Sequence, residues 1–339
     1  MALGDNTMTQ RRVLVTGGAG FIGSHLVDAL VQEGHAVAVV DDLSSTGSRR
    51  NLRSAVAMAY KTGAPIPQML VRSILSDGDW PGWVEEKLGG PPKAIFHLAA
   101  IPSVARSVRD PEASVKTNVL GTLRVLGAAH AWGCRVVQAS SSSVYGGIQG
   151  GGARTENERP MPLSPYAASK AAAEHLASSY AHCFGLSIAS LRFFNVFGPR
   201  QDPNSQYAAV VPAFVTRALQ GEPLTVHGDG KQSRDFTPVW NVVSALLTAA
   251  RQSTRISGAP AINIGMGRSH SLLDLISCLS AILNRELTAE HEPRRPGDPD
   301  FSEADIGLAT SVLSYSPHVS FEEGLRKTVA WFQNVQERS

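Results

Sequence analysis

The sequence predicts an α/β protein, a doubly wound parallel sheet with a smaller, interleaved C-terminal domain. Two observations predict it. In the first half of the chain, short β-branched runs alternate with longer Ala/Leu-rich segments of helical period, the pattern of parallel strands linked by helical crossovers. After "FNVFGPRQDPN" that rhythm breaks: Pro and Gly become frequent, and loops with short strands take over.

Each element has its own signal. "RRVLVTGG" reads as a strand running into a Gly turn, "FIGSHLVDALVQEG" as a helix ending at Gly34, and "HAVAVVDD" as a strand continuous enough to be buried on both faces. Later strands are "KAIFHLAA", "CRVVQASSSSVYG" and "LSIASLRFFNVFG", with helices expected near 112–131 and 165–184. The second of these helices starts in "SPYAASK", where Ser164 suits the cap and Pro165 the first helical position. Tyr166 and Lys170 then share one face, a turn apart. Beyond residue 200, "NVVSALLTAA" is a helix, "AINIG" a short strand returning to the main sheet, and the segment from Ser269 onward helical with interruptions. Residues 11–192 with about 236–265 are expected to form one domain, 193–235 with 266–335 the other, and a ligand cleft to lie between them.

Composition excludes several function classes. The chain has 339 residues, enough for a large core, and a formal net charge of +2 with acids and bases interspersed. The basic pairs Arg11-Arg12, Arg49-Arg50 and Arg294-Arg295 lie far apart, so neither a nucleic-acid stripe nor a membrane polybasic patch is present. Cys134, Cys183 and Cys278 are odd in number and widely spaced, which reads as reduced, buried thiols in a cytoplasmic protein. The histidines fit no metal-ligand spacing, and no metal is expected. No apolar run reaches the roughly 18 residues of a membrane helix, and "MALGDNTMTQ" reads as a polar leader without signal-peptide features.

The chemistry begins at "TGGAGFIG". Gly17, Gly20 and Gly23 lie between a strand and a helix, where glycines allow a tight turn and close approach to a pyrophosphate. The helix start adds free N–H groups and a positive dipole end. This is the Rossmann-type fingerprint for a dinucleotide. Asp41, 18 residues after Gly23, ends the second strand, where a carboxylate accepts the adenosine ribose hydroxyls and repels a 2′-phosphate. NAD is therefore favoured, with Arg49 and Arg50 keeping NADP open as the minority reading. Residue spacing leaves open whether Asp42 binds or only starts the loop "LSSTGS". Ser140–Ser143 sit at the C-terminal end of a strand, where ligands bind in open α/β sheets.

In these motifs the chain resembles the extended short-chain dehydrogenase/reductases, specifically the nucleotide-sugar epimerases. The resemblance runs through "VLVTGGAGFIGSHL", "DDLSSTGSRRNL", "FHLAA", "SSSSVYG", "SPYAASK", "LRFFNVFGPRQDP", "HGDGKQSRDF" and "RRPGD". Within that family it is most similar to the UDP-N-acetylglucosamine 4-epimerases, through "LRFFNVFGPRQDPNSQYAAVVP". The resemblance implies C4 epimerisation of a UDP-hexose through a transient 4-keto sugar, with NAD staying bound. Tyr166 would be the general base, Lys170 its cationic partner on the nicotinamide ribose, and Ser141 the hydroxyl on the sugar O4. A phenol with a pKa of about 10 needs positive charge nearby to act at neutral pH, and Lys170, the nicotinamide and the helix start are expected to supply it.

The resemblance also implies the remaining contacts. Phe21, Ile22, Asp42, Ser44, Gly47, Ser73, Ile74, Leu98, Ala99, Ala100, Phe193 and Val196 would line the NAD site with the glycines and Asp41. Asn195, Arg234, Arg295 and Asp298 would hold the diphosphate and its ribose, with Val210, Phe214, Val226 and His227 around the uracil. Ser103, Ser142 and Ser143 would face the sugar. Related 4,6-dehydratases carry acids at the positions of Ser142 and Ser143, and decarboxylases a glutamate at Ser143, so serines there argue against both reactions. Gln201, Ala209 and Ser302 match a pattern permissive for N-acetylated sugars. Ser73 replaces the usual Asp near the adenine, and Pro102 stands where close relatives often carry Gly. His97 is read as a packed group. A homodimer is implied as well. The rivals are UDP-glucose or UDP-glucuronate 4-epimerisation, a one-way oxidoreductase, and a non-catalytic nucleotide sensor, the last opposed by the intact Ser141, Tyr166 and Lys170.

Overall fold

A computed structural model describes residues 11–44, 48–146, 152–203, 209–252, 258–294 and 300–336. The expectations for Gly47, Arg295, Asp298 and the 1–10 leader lie outside these residues. The central sheet has seven strands: β1 (Arg12–Thr16), β2 (Ala36–Asp41), β3 (Gln68–Val71), β4 (Ala94–His97), β5 (Arg135–Ser141), β6 (Ile188–Phe193) and β7 (Ala261–Ile264). All pairs are parallel, in the order β7-β6-β5-β4-β1-β2-β3. The order reverses beside β1, between β1 and β4, the place where open sheets of this kind bind ligands. The "AINIG" segment does return to the sheet, as β7 beside β6.

Strand side chains alternate between faces, and each face has its own core. Val13, Val15, Val37, Val39, Phe96, Val137 and Leu191 pack with α1 (Phe21–Gln32) and with Val242, Leu246 and their neighbours in the helix Val239–Arg251. Leu14, Ala38, Val40, Ile95, Val136 and Ile188 pack on the opposite side with Trp80 and Val84, with Val125 and Leu126 of α2 (Gly121–Trp132), and with Ala177 of α3 (Pro165–Phe184). At roughly 1.5–3 kcal/mol for each fully buried large aliphatic side chain, these two faces drive formation of the sheet. A third core, built from Phe197, Phe214, Val226, Phe236, Leu275, Phe321 and Leu325, lies in the C-terminal part of the chain.

Three short strands beside that third core shape one wall of the cleft. Ser233–Arg234 pairs antiparallel with His270–Ser271 and parallel with Phe301–Ser302. The buried Asp235 carboxylate fastens them. It accepts from the backbone N–H groups of Met266 at 2.7 Å, Gly267 at 3.0 Å and Ala304 at 3.3 Å, and from the Thr237 hydroxyl at 3.1 Å. Burial still pushes its pKa up to about 6, against the pull of those hydrogen bonds.

Two expectations need correction. The helix expected near 112–131 is interrupted: an α-helical turn Pro111–Val115 passes into a π-helical turn Lys116–Leu120 before α2 begins. The wider turn carries Asn118, whose side chain accepts from the Ile101 N–H at 2.8 Å and donates to the Ser169 hydroxyl at 2.9 Å, tying the loop after β4 to α3. The cysteines are free as expected, but they are not all buried: Cys183, near the end of α3, is exposed. Among the described residues no helix is long and apolar enough to cross a membrane.

Candidate active site

A cleft of about 1160 Å³ opens at the C-terminal ends of β1, β2, β4, β5 and β6. Because β1 and β4 are neighbours, the glycine turn and the loop after β4 lie side by side. Gly17 has φ +71, and a Cβ there would sit 2.6 Å from the Ala99 nitrogen; a Cβ on Gly23 would sit 2.2 Å from the Gly17 carbonyl oxygen. The turn therefore holds backbone where any side chain would intrude, and Gly20 opens α1 beside it. Asp41 ends β2 with one carboxylate oxygen accepting from the Ala19 N–H at 3.0 Å and the other from the Leu43 N–H at 2.9 Å. Burial raises its pKa, opposed by those bonds. Asp42 accepts from the N–H of Ser44 at 3.0 Å and from its hydroxyl at 2.5 Å, closing the turn after β2.

The lining includes Gly17, Gly20, Phe21, Ile22, Gly23, Asp41, Asp42, Ser44, Ser73, Ile74, Leu98, Ala99, Ala100, Phe193 and Val196. It also includes Ser103, Ser141, Ser142, Ser143, Tyr166, Lys170, Asn195, Gln201, Ala209, Arg234 and Ser302. Sequence reasoning missed Arg72, Arg106, Arg109, Arg154 and Asp202, which line it too. Their signal was weak, since each is a single charge in a loop or short helix. Four expected residues are outside the described lining. Phe214 and Val226 are buried in the third core, Val210 packs against it, and His227 donates a hydrogen bond from Nδ1 to the Pro293 carbonyl, 3.3 Å away. The helix Val210–Gln220 and the strand Leu224–His227 need their apolar residues to hold the third core together.

Tyr166 and Lys170 reach the cleft because α3 starts where its sequence says. Ser164 accepts from the Ala167 N–H at 3.1 Å, Pro165 follows, and the Ser107 hydroxyl accepts from the Tyr166 N–H at 3.0 Å. The Tyr166 hydroxyl is hydrogen-bonded to Ser141. Ser141 also accepts from the Ser143 N–H at 3.2 Å and hydroxyl at 2.9 Å. Lys170 is buried and donates from Nζ to the Ala139 carbonyl at 2.9 Å. Burial brings its pKa down to about 8, with Glu174 pulling it up. The charge balance differs from the sequence expectation. Burial raises the Tyr166 pKa and the Ser141 hydrogen bond opposes it, so the protein's own groups leave the phenol protonated. His97 is a packed group, bonded to the Thr16 hydroxyl at 2.7 Å and the Thr122 hydroxyl at 3.0 Å, its pKa lowered to about 3 by burial and then by the Lys170 charge.

Comparison with known proteins decides what this geometry belongs to. Residues 13–265 match the family described as "NAD dependent epimerase/dehydratase family". The chain belongs to that family. A UDP-glucose 4-epimerase of Mycolicibacterium smegmatis is 38% identical over 329 residues, which cover 96% of this chain and 100% of that protein. UDP-glucuronic acid decarboxylase 1 of Danio rerio is 32% identical over 335 residues, covering 97% and 74%. The structure of a UDP-N-acetylglucosamine 4-epimerase from Methanobrevibacter ruminantium M1, in complex with UDP-N-acetylmuramic acid, superposes with a TM-score of 0.87 at 36% identity, covering 97% of this chain and 100% of that one. As a member of the epimerase/dehydratase family the chain is an enzyme with NAD as cofactor, and its residues fit that cofactor. The turn at Gly17 and Gly23 keeps side chains out of the approach to the N-terminus of α1, where a pyrophosphate can bind, and Asp41 stands at the end of β2.

Proposed function

We propose that this enzyme is a UDP-sugar 4-epimerase, acting on UDP-GlcNAc and UDP-GalNAc and also on UDP-glucose and UDP-galactose. The observation that carries the reading is the meeting of Ser141, Tyr166 and Lys170 on the same cleft as Gly17 and Asp41. Bound NAD supplies the redox chemistry at the sugar C4. With the phenolate favoured by the Lys170 charge and by the cationic cofactor, against the effect of burial, Tyr166 takes the O4 proton as the alcohol is oxidised and returns it when the opposite configuration forms. Ser141, already hydrogen-bonded to Tyr166, holds O4 beside the phenol. Lys170 carries the positive charge near the base. Arg234, with Arg295, grips the diphosphate through the planar fork suited to phosphate oxygens, while the 4-keto sugar turns over within the cleft. Residues 193–235 and 266–335 form the UDP-sugar-binding part, and residues 11–192 with about 236–265 the NAD-binding part. Ser142 and Ser143 offer no carboxylate, which supports epimerisation over decarboxylation or dehydration. The enzyme works in the cytoplasm as a homodimer, whose mass light scattering would read as two chains. Val115, Leu120 and Leu123 in the helical stretch 111–132, and Phe184 at the end of α3, are exposed and support pairing there.

Acceptance of N-acetylated sugars rests on the wall at Ser302. This residue lines the same cleft as Ser141, Ser142 and Ser143, is paired with Arg234, and its carbonyl accepts from the Asp235 N–H at 2.7 Å. A side chain there can change without disturbing that backbone bond. Ser302→Tyr should depress kcat/KM for UDP-GlcNAc by at least roughly tenfold while UDP-glucose is largely spared, because added bulk excludes the substrate that needs the space. Equal losses on both sugars, or a wild-type enzyme that ignores UDP-GlcNAc, would remove the specificity reading and leave the epimerase reading standing.

A further inference from the structure

Beneath the cleft floor lies a charged network that the chemistry above does not use. Glu174, one helical turn after Lys170 on α3, is buried and accepts three hydrogen bonds. The Arg192 guanidinium donates to its two oxygens at 2.9 and 2.8 Å, and the Ser140 hydroxyl to one of them at 2.5 Å. Arg192 also donates to the Tyr145 hydroxyl at 2.9 Å, and that hydroxyl donates to Asn263 at 2.6 Å. Through these bonds α3, β5, β6 and β7 hold one carboxylate in one orientation.

A buried ion pair of this sort adds little net stability, because desolvation offsets most of its attraction. It sits where a charge has something else to act on. Lys170 is buried, with one hydrogen bond, to the Ala139 carbonyl, and an ammonium stripped of water tends to lose its proton. We propose that Glu174 is a positioning residue of the acid–base site: fixed by Arg192 and Ser140, its carboxylate keeps Lys170 charged beside Tyr166. The proposal rests on the reading of Tyr166 and Lys170 as the acid–base pair.

Among the described residues, no other group near Lys170 takes that role. His97, from β4, is buried and held neutral. Tyr166, on the same helix, keeps its proton. From β5 come the Ala139 carbonyl and the Ser140 hydroxyl, both uncharged. Arg192, from β6, is a cation and opposes a charged lysine. Glu174 is the charge that favours the ammonium, against the larger effect of burial.

The test is to follow Lys170 directly in the NAD-loaded enzyme. Lysine labelled with ¹³C at Cε is titrated by NMR, and the Lys170 signal is assigned by its loss in Lys170→Met. Glu174→Gln should lower the Lys170 titration midpoint by about one pH unit or more. That variant strands Arg192 and can fail to fold, so Glu174→Gln/Arg192→Met, which removes both charges, decides the matter. Arg192→Met alone is the reference, since loss of that cation by itself favours a charged Lys170. A midpoint in the double variant lower than in Arg192→Met upholds the proposal. Equal midpoints in these two variants would assign any shift to Arg192 and overturn it. The alkaline limb of kcat should move to lower pH by the same amount as the midpoint, a displacement that simple loosening of the fold would not give. A lowered midpoint with an unmoved limb would instead overturn the acid–base reading of Lys170, leaving the charge relation between Glu174 and Lys170 intact.

Discussion

Two glycines with nearly the same backbone allow the NAD turn to be tested against its own control. Gly17 has φ +71 and Gly63, at the end of the helix Arg53–Thr62, has φ +73. A left-handed backbone costs a non-glycine residue about 1–2 kcal/mol, so Gly→Ala carries that cost at both positions. At Gly63 an added Cβ meets nothing within 4 Å. At Gly17 it would lie 2.6 Å from the Ala99 nitrogen and 2.8 Å from the Ala99 Cα and the Leu98 carbonyl carbon. Ordinary contact begins near 3.4 Å, so the loop after β4 must retreat by most of an ångström, and overpacking of that kind costs about 1–3 kcal/mol. Gly17→Ala should therefore lose about 2–5 kcal/mol in total and Gly63→Ala about 1–2. Thermal unfolding compares the two, and extraction of the purified proteins measures NAD content. Only Gly17→Ala should lose its dinucleotide. Equal unfolding temperatures in the two variants, with NAD retained in both, would refute the claim that this turn is shaped around a close backbone approach.

Replacing Tyr166 with Phe removes the phenol's bond to Ser141 but keeps the buried ring, so fold and NAD content should persist while kcat falls roughly 10²- to 10⁴-fold; near-normal turnover would place the base elsewhere. His97 has a pKa of about 3 in the fold against 6.5 unperturbed, so the unfolded chain binds a proton that the native state refuses. Its contribution is complete above about pH 6.5 and is lost as pH falls towards 3, at about 1.4 kcal/mol per unit. Denaturant unfolding at a series of pH values should thus show a slope shallower by one proton in His97→Gln, and an unchanged slope would show that His97 is not buried neutral.

Much of this protein could be read from local pattern. The apolar runs of β1, β2 and β5, set between segments of helical period, pointed to the sheet, and Ser164-Pro165 marked the start of α3 to the residue. Gly17 and Gly23 carried their own explanation, because nothing larger fits. What escaped depends on partners remote in sequence. The π turn at Lys116–Leu120 exists because Asn118 reaches Ile101 and Ser169, a choice no helical period reveals. Phe214 and Val226 sit among aromatics of three other segments, which a match by position does not show. The Tyr166 charge balance is set by burial, and burial is a property of the folded chain.

The Asp235 fastening has an evolutionary consequence. The proposed acid–base residues stand on β5 and α3, parts of the large sheet and the helical layer packed on it, whereas Ser302 belongs to a strand of two residues held by backbone bonds and one buried carboxylate. Inheritance can therefore act on the two separately. On the proposed reading of Ser302, a lineage can exchange the side chain at position 302, and with it the sugars accepted, without rebuilding the reaction centre. Change in that small strand costs little stability, because its backbone bonds do not depend on the side chain at 302.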